Sequence, residues 1–170
     1  MNNPWQLRSL SILCIMMGVT RAFFSFIPWE SNRLELEFVA LLIDLGTLGG
    51  LCTFYFPRVE PLGSVGFLGF ITAFSGLAII TGVDGQAFGV DVYGLGIVII
   101  GLGLLIFSLA LLIAKLARLA AVFWISMVAV QMIAVAVSMG EIGFIATGVL
   151  YGLGFAALGW AILNDHREGI

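Results

Sequence analysis

The chain has 170 residues, 61% of them hydrophobic and only 10% charged, with a formal net charge of −3 and a mean hydropathy of +1.16. Soluble domains carry about a quarter of their residues as charges, and here the apolar residues fall in blocks of about 20, the length that spans a bilayer core. A soluble fold is therefore excluded, and so is nucleic-acid binding, because no basic stripe interleaved with aromatics exists to follow a phosphate backbone.

The composition predicts an all-α membrane protein, a single bundle of six transmembrane helices over residues 1–170 with both termini cytoplasmic. The first helix is expected over 4–28. Asn3 is placed as its N-cap, with Pro4 at the first helical position and Gln6 at the third. The stretch has Arg21 inside its apolar run and no small-residue cleavage site after it, so it reads as a retained span rather than a signal peptide. Leu13 before Cys14 is too large for a lipoprotein cleavage box. Asn32 with Glu35 forms a second capping box, opening a helix over 33–56 that Pro57 stops. Cys14 and Cys52 sit within apolar runs and read as small buried hydrophobes with free thiols.

Arg21 and Asp44 interrupt these two runs. A lone charge at bilayer depth costs roughly 2.5 to 3.5 kcal/mol on insertion scales. A fold-back between the two helices brings position 21 level with position 44, so the two are predicted to form an intramembrane ion pair.

The third helix is expected over 62–81, after a Pro57–Pro61 turn, with Gly66, Gly69, Ala73 and Gly76 making a smooth face. Small residues of this kind let backbones approach in lipid, where no hydrophobic force drives helices together. Gly82 to Asp91 reads as an exposed loop. The fourth helix, 93–116, carries Gly94, Gly101 and Ser108 and then Gly96, Gly103 and Ala110 at seven-residue intervals, a period that favours a left-handed crossing. A tight basic turn with Lys115 and Arg118 leads to the fifth helix, 119–138, which bears Gln131 in mid-span. The sixth, 142–163, has Gly148, Gly152 and Ala156 on a small-xxx-small track, expected in a close helix contact within the bundle or between protomers. Folding back at Gly140 aligns Gln131 with Tyr151, predicting a polar pair. The Tyr-Gly-Leu-Gly sequence at 93–96 recurs at 151–154, but in parallel helices, which does not fit an inverted repeat.

A cytoplasmic N-terminus places Arg8, Arg58, Lys115, Arg118 and Arg167 inside and only Arg33 in an outer loop, as the positive-inside rule requires. The outer face is then acidic, with Glu30, Glu35, Glu37, Asp84, Asp91 and Glu141. Trp5, Trp124 and Trp160 are expected at the inner interface and Trp29 at the outer one.

No catalytic set is assembled. The one histidine, His166, lies in the polar tail, so haem ligation, a di-iron site and a serine-histidine relay all lack their parts. Lys115, at a helix end, is poorly placed for Schiff-base chemistry. Asp84, Gly85, Gln86 and Asp91 are too few for a calcium site. No cofactor, metal or enzymatic activity is therefore expected. The reading is a non-enzymatic subunit, scaffold or regulatory partner in a prokaryotic inner membrane, with lipid, further copies of itself or other membrane proteins as partners. The alternative is a small cation or proton-coupled transporter with the Arg21/Asp44 pair below an acidic outer vestibule. Whether Asp44 faces water or a dry helix contact separates the two.

Overall fold

The computed structural model describes residues 4–28, 33–82, 86–87 and 90–165. Asn3, Trp29, Glu30, Asn32, Asp84, Gly85, His166 and Arg167 lie outside the described residues, and with them both capping-box N-caps and the outer tryptophan anchor. The helices are α1 (Pro4–Phe24), α2 (Leu34–Tyr55), α3 (Val59–Gly82), α4 (Val92–Ala114), α5 (Arg118–Ala136) and α6 (Gly140–Asp165). A 3-10 turn, Phe56–Arg58, joins α2 to α3. Between α3 and α4, β1 (Gln86–Ala87) pairs antiparallel with β2 (Val90–Asp91).

Five stretches are long and apolar enough to cross a membrane: Trp5–Phe24, Leu34–Thr81, Val92–Ala114, Arg118–Ala136 and Gly140–Asp165. The second is 48 residues long, because helical turns continue from α2 through the 3-10 turn into α3. The break expected at Pro57–Pro61 is a helical corner. The chain leaves the helical path at Gly63, whose φ of 58° and ψ of −159° suit a residue without a Cβ.

The most extensive contact is between α3 and α4, followed by α1 with α6 and α5 with α6. Small residues account for the closeness. Gly69 lies against Phe107, Gly76 against Ile100 and Gly103 against Ala73, so α3 and α4 run antiparallel with their backbones nearly touching. Of the two heptad rows in α4, Gly96 and Gly103 face α3, whereas a methyl group at Gly101 would meet nothing within 4 Å. Helices α1 and α2 pair through Met17 on Gly46 and Cys14 on Gly50. The pairs α1–α2, α1–α6 and α3–α4 are thus antiparallel, and α2 completes the bundle against α3 and, running parallel to it, α6.

Aromatic rings fill the middle of the end where α2 meets α3. Tyr55 stacks on Phe70 at 4.1 Å, Phe54 meets Phe107 edge-on at 6.3 Å, and Trp124 meets Phe155 at 5.1 Å. Trp124, expected at the inner interface, turns its ring into the bundle. It is completely buried, since Gly154 opposite leaves room for the indole to lie across α6. Large apolar side chains such as Phe23, Val98, Ile113 and Met132 instead point outward, as a lipid-facing surface requires. Several serine and threonine hydroxyls within the helices donate to carbonyls one turn back, including Ser11 to Leu7 at 2.6 Å and Ser108 to Leu104 at 2.7 Å, which satisfies those donors in an apolar setting.

The two short hairpin turns close with left-handed residues. Lys115 has φ 60°, and the Leu116 N–H donates to the Leu111 carbonyl at 2.9 Å. Ser138 has φ 57°, and the Met139 N–H donates to the Ala134 carbonyl at 2.9 Å. Both are Schellman closures. The second lies before Gly140, which is already the first residue of α6.

Arg8, Arg58, Lys115 and Arg118 gather towards one end of the bundle, and Glu35, Glu37, Asp91 and Glu141 towards the other. Two carboxylates, Glu60 and Asp165, depart from this separation and fall at the basic end.

Candidate functional site

Arg21 lies in the last turn of α1. Its Nη1 donates to Ser25 Oγ at 3.2 Å, and the Ser25 hydroxyl donates to the Arg21 carbonyl at 2.9 Å. The guanidinium carbon sits 5.9 Å from the centre of the Tyr151 ring, within cation–π range. Gly148 makes room for this group: a Cβ there would stand 3.4 Å from Arg21 Nη1. Arg21 is thus oriented by its own helix on one side and by α6 on the other.

Asp44 is in the middle of α2 and half-buried. The antiparallel packing of α1 and α2 brings it to the level of Arg21, within range of that charge. Direct contact is not made. Among the described residues the Asp44 carboxylate forms neither an ion pair nor a hydrogen bond, and the expected two-bond geometry is absent. The reason is local: the fork of Arg21 is turned towards Ser25 and Tyr151.

Tyr151 completes the cluster from α6. Its hydroxyl is buried and has no hydrogen-bond partner among the described residues. Thr47 Oγ1 is a polar neighbour of the phenol, but that hydroxyl donates to the Asp44 carbonyl at 3.0 Å, and hydrogen-bond geometry with Tyr151 is not met. Tyr93, in the first turn of α4, lies within electrostatic range of Arg21, Asp44 and Asp91. Four helices therefore contribute to one polar cluster in an otherwise apolar bundle.

The pairing expected between Gln131 and Tyr151 does not form. Thr147 Oγ1 lies 2.8 Å from Gln131 Oε1 and also 2.7 Å from the Gly143 carbonyl. Because the chain turns at Val137–Met139 rather than at Gly140, α6 is shifted by about one helical turn against α5. Gln131 meets Thr147 on an exposed face, and Tyr151 points towards α1 and α2.

Gly148, Gly152 and Ala156 line the contact of α6 with α1. Gly148 faces Ser25, Gly152 faces Gly18 and Ala22, and Ala156 faces Gly18. At the acidic end, Asp91 caps α4 by accepting from the Gly94 N–H at 2.8 Å, and Glu141 is exposed in the first turn of α6. Glu30 and Asp84 lie outside the described residues.

Sequence reasoning missed an ion pair at the basic end, where Arg58 Nη2 meets Asp165 Oδ2. Arg58 also donates to the Phe54 carbonyl at 2.9 Å and lies 4.4 Å from the centre of the Phe54 ring. The signal was an acid at the end of α6, on the side where the basic residues collect. Between α1 and α2, Leu7, Leu10, Gly49, Cys52, Thr53, Phe56 and Pro57 line an apolar groove of about 560 Å³. Cys14 and Cys52 are free thiols, and Cys14 Sγ donates to the Phe155 carbonyl at 3.3 Å. Among the described residues no group of three or more His, Cys, Asp or Glu side chains comes together to hold a metal ion.

No protein-family model, curated protein or solved structure matches this chain.

Proposed function

We propose that the chain is a small carrier in a prokaryotic cell membrane, with six spans and both termini cytoplasmic, that moves protons or a small cation past the level of Arg21 and Asp44. The observation that carries this reading is the state of Asp44. Its carboxylate lies within range of Arg21 and Tyr151 and yet has no direct partner among the described residues. A purely structural intramembrane pair gains most from contact, because an uncompensated charge at depth is expensive. A group that takes up and releases a charge must keep a coordination position free. The gathering of basic residues at one end of the bundle supports the orientation.

The test is flux. Purified protein in liposomes containing a pH-sensitive dye should dissipate an imposed pH or cation gradient, and Asp44→Asn should not. Wild-type vesicles no leakier than empty ones, for protons and for monovalent cations, would overturn the reading. Cysteines placed in the Gly82–Asp91 loop should react with an impermeant reagent from outside intact cells.

A non-enzymatic subunit or scaffold is the second reading, favoured by the groove between α1 and α2. At Gly49, a methyl group would meet nothing within 4 Å, so the groove floor is open to an apolar side chain from a helix of another protein. Gly49→Phe should then remove a larger assembly extracted from the native membrane, while gradients across proteoliposomes stay intact with or without it.

A further inference from the structure

Proton and metal cation make different demands on the cluster around Asp44. A metal ion asks for a shell of oxygens, six to eight for calcium. Among the described residues the Asp44 carboxylate, the Thr47 hydroxyl and the phenols of Tyr151 and Tyr93 are gathered here, fewer oxygens than such a shell needs, with the Arg21 guanidinium beside them repelling a further cation. A proton needs one oxygen to bind and one acceptor to hold it. The buried Tyr151 hydroxyl, unpartnered next to Thr47 and one turn along α2 from Asp44, is such an acceptor.

We propose that Asp44 binds a proton and changes partner as it does so, facing Arg21 when charged and the Tyr151 phenol when neutral. A hydronium ion gives its proton to one carboxylate oxygen and leaves as water. The resulting carboxyl O–H donates to Tyr151 Oη, giving the phenol the hydrogen bond it lacks. The cluster passes from zero net charge, Arg21 against Asp44, to one positive charge. Arg21 tolerates that change because it sits in the last turn of α1, from which a long side chain extends towards the headgroups. Release of the proton restores the attraction between the two charges. The groups that face Asp44 are Arg21 from α1, Tyr151 from α6 and Tyr93 from α4, the last beside Asp91. The acid of α3, Glu60, is at the far end of the bundle.

This inference rests on the carrier reading for the use made of the proton, but binding itself is measured without flux. Infrared difference spectra of the purified protein in lipid, taken from about pH 4 to pH 9 to cover the carboxyl and imidazole ranges, should show a protonated-carboxyl band that Asp44→Asn removes. Asp44→Glu, a second variant should the first misfold, should move that band without abolishing it. Tyr151→Phe should shift it to higher wavenumber, because the neutral carboxyl loses its acceptor, and exchange of sodium for potassium or choline should leave it unchanged. A band indifferent to Tyr151→Phe, a titration that depends on the cation, or no band assignable to Asp44 would each overturn the proposal. Proton binding with these signatures but no flux in liposomes would sink the carrier reading alone.

Discussion

Gly18 of α1 and Gly152 of α6 bring their helices into backbone contact. A Cβ added at Gly18 would stand 2.5 Å from the Gly152 carbonyl oxygen and 2.5 Å from the Ala156 nitrogen. Neither neighbour is a side chain that can swing away. The contact also positions the polar cluster, since Arg21 and Tyr151 are one turn or less from these glycines.

Gly152→Leu should therefore force α1 and α6 apart. Overpacking of this kind costs about 1 to 3 kcal/mol, and more where backbone must move. Gly49→Ala and Gly101→Ala are the controls: both sites are open within 4 Å and helical, so alanine should be neutral or stabilise by about 0.5 to 1 kcal/mol. Thermal unfolding in one detergent would rank the three variants, and equal effects at 152 and 101 would contradict the packing account.

Arg58 and Asp165 should contribute unequally. Asp165 is 41% exposed and Arg58 14%, so water screens the pair and its coupling should be about 0.5 to 1 kcal/mol in a double-mutant cycle. Arg58→Ala should lose more than Asp165→Ala, because it also removes the bond to the Phe54 carbonyl and the stacking on that ring. Arg58→Lys should fall between them, as the planar fork is lost but the charge is kept. Chemical denaturation in mixed micelles provides the comparison.

Gln131 should couple to Thr147 and not to Tyr151. Hydrogen bonds between membrane helices average about 0.6 kcal/mol, so the Gln131→Ala and Thr147→Val cycle should show an interaction of that order. Gln131→Ala with Tyr151→Phe should be additive within the error of such cycles, about 0.3 to 0.5 kcal/mol. Coupling in the second cycle and none in the first would mean that α6 is set one turn differently against α5.

Ser138→Gly should stabilise the protein. Ser138 adopts φ 57°, a left-handed conformation that costs an L-residue about 1 to 2 kcal/mol, partly offset by the extra freedom of glycine in the unfolded chain. A net gain of about 0.5 to 1 kcal/mol is expected. Loss of stability would show that the serine side chain contributes more than its backbone strain removes.

The apolar blocks and the small-residue faces were legible because they depend on single-segment chemistry: solubility in a bilayer and the capacity of glycine for close approach. Thus Gly76 and Gly103 lie in the contact their spacing implied. The corner at Pro57–Pro61 was read as a break because proline lacks a donor, yet at the start of a helical turn that donor is not needed, and the chain turns instead at Gly63.

Composition by itself determined the solvent, the helical class and which residues would carry charge into the bundle, because every backbone polar group in a bilayer must be satisfied within its own segment. Tertiary structure alone decided which polar side chains meet. A helix turns about 100° per residue, so ending a turn at Met139 instead of Gly140 was enough to give Gln131 to Thr147 and leave Tyr151 beside Arg21 and Thr47. Hydropathy has no memory of that phase. The same geometry buried Trp124 opposite Gly154 and joined Arg58 to Asp165 across more than 100 positions of chain, 107 in all. It also held Arg21 towards Ser25 and Tyr151, which left the Asp44 carboxylate without a direct partner among the described residues, at the level of the guanidinium.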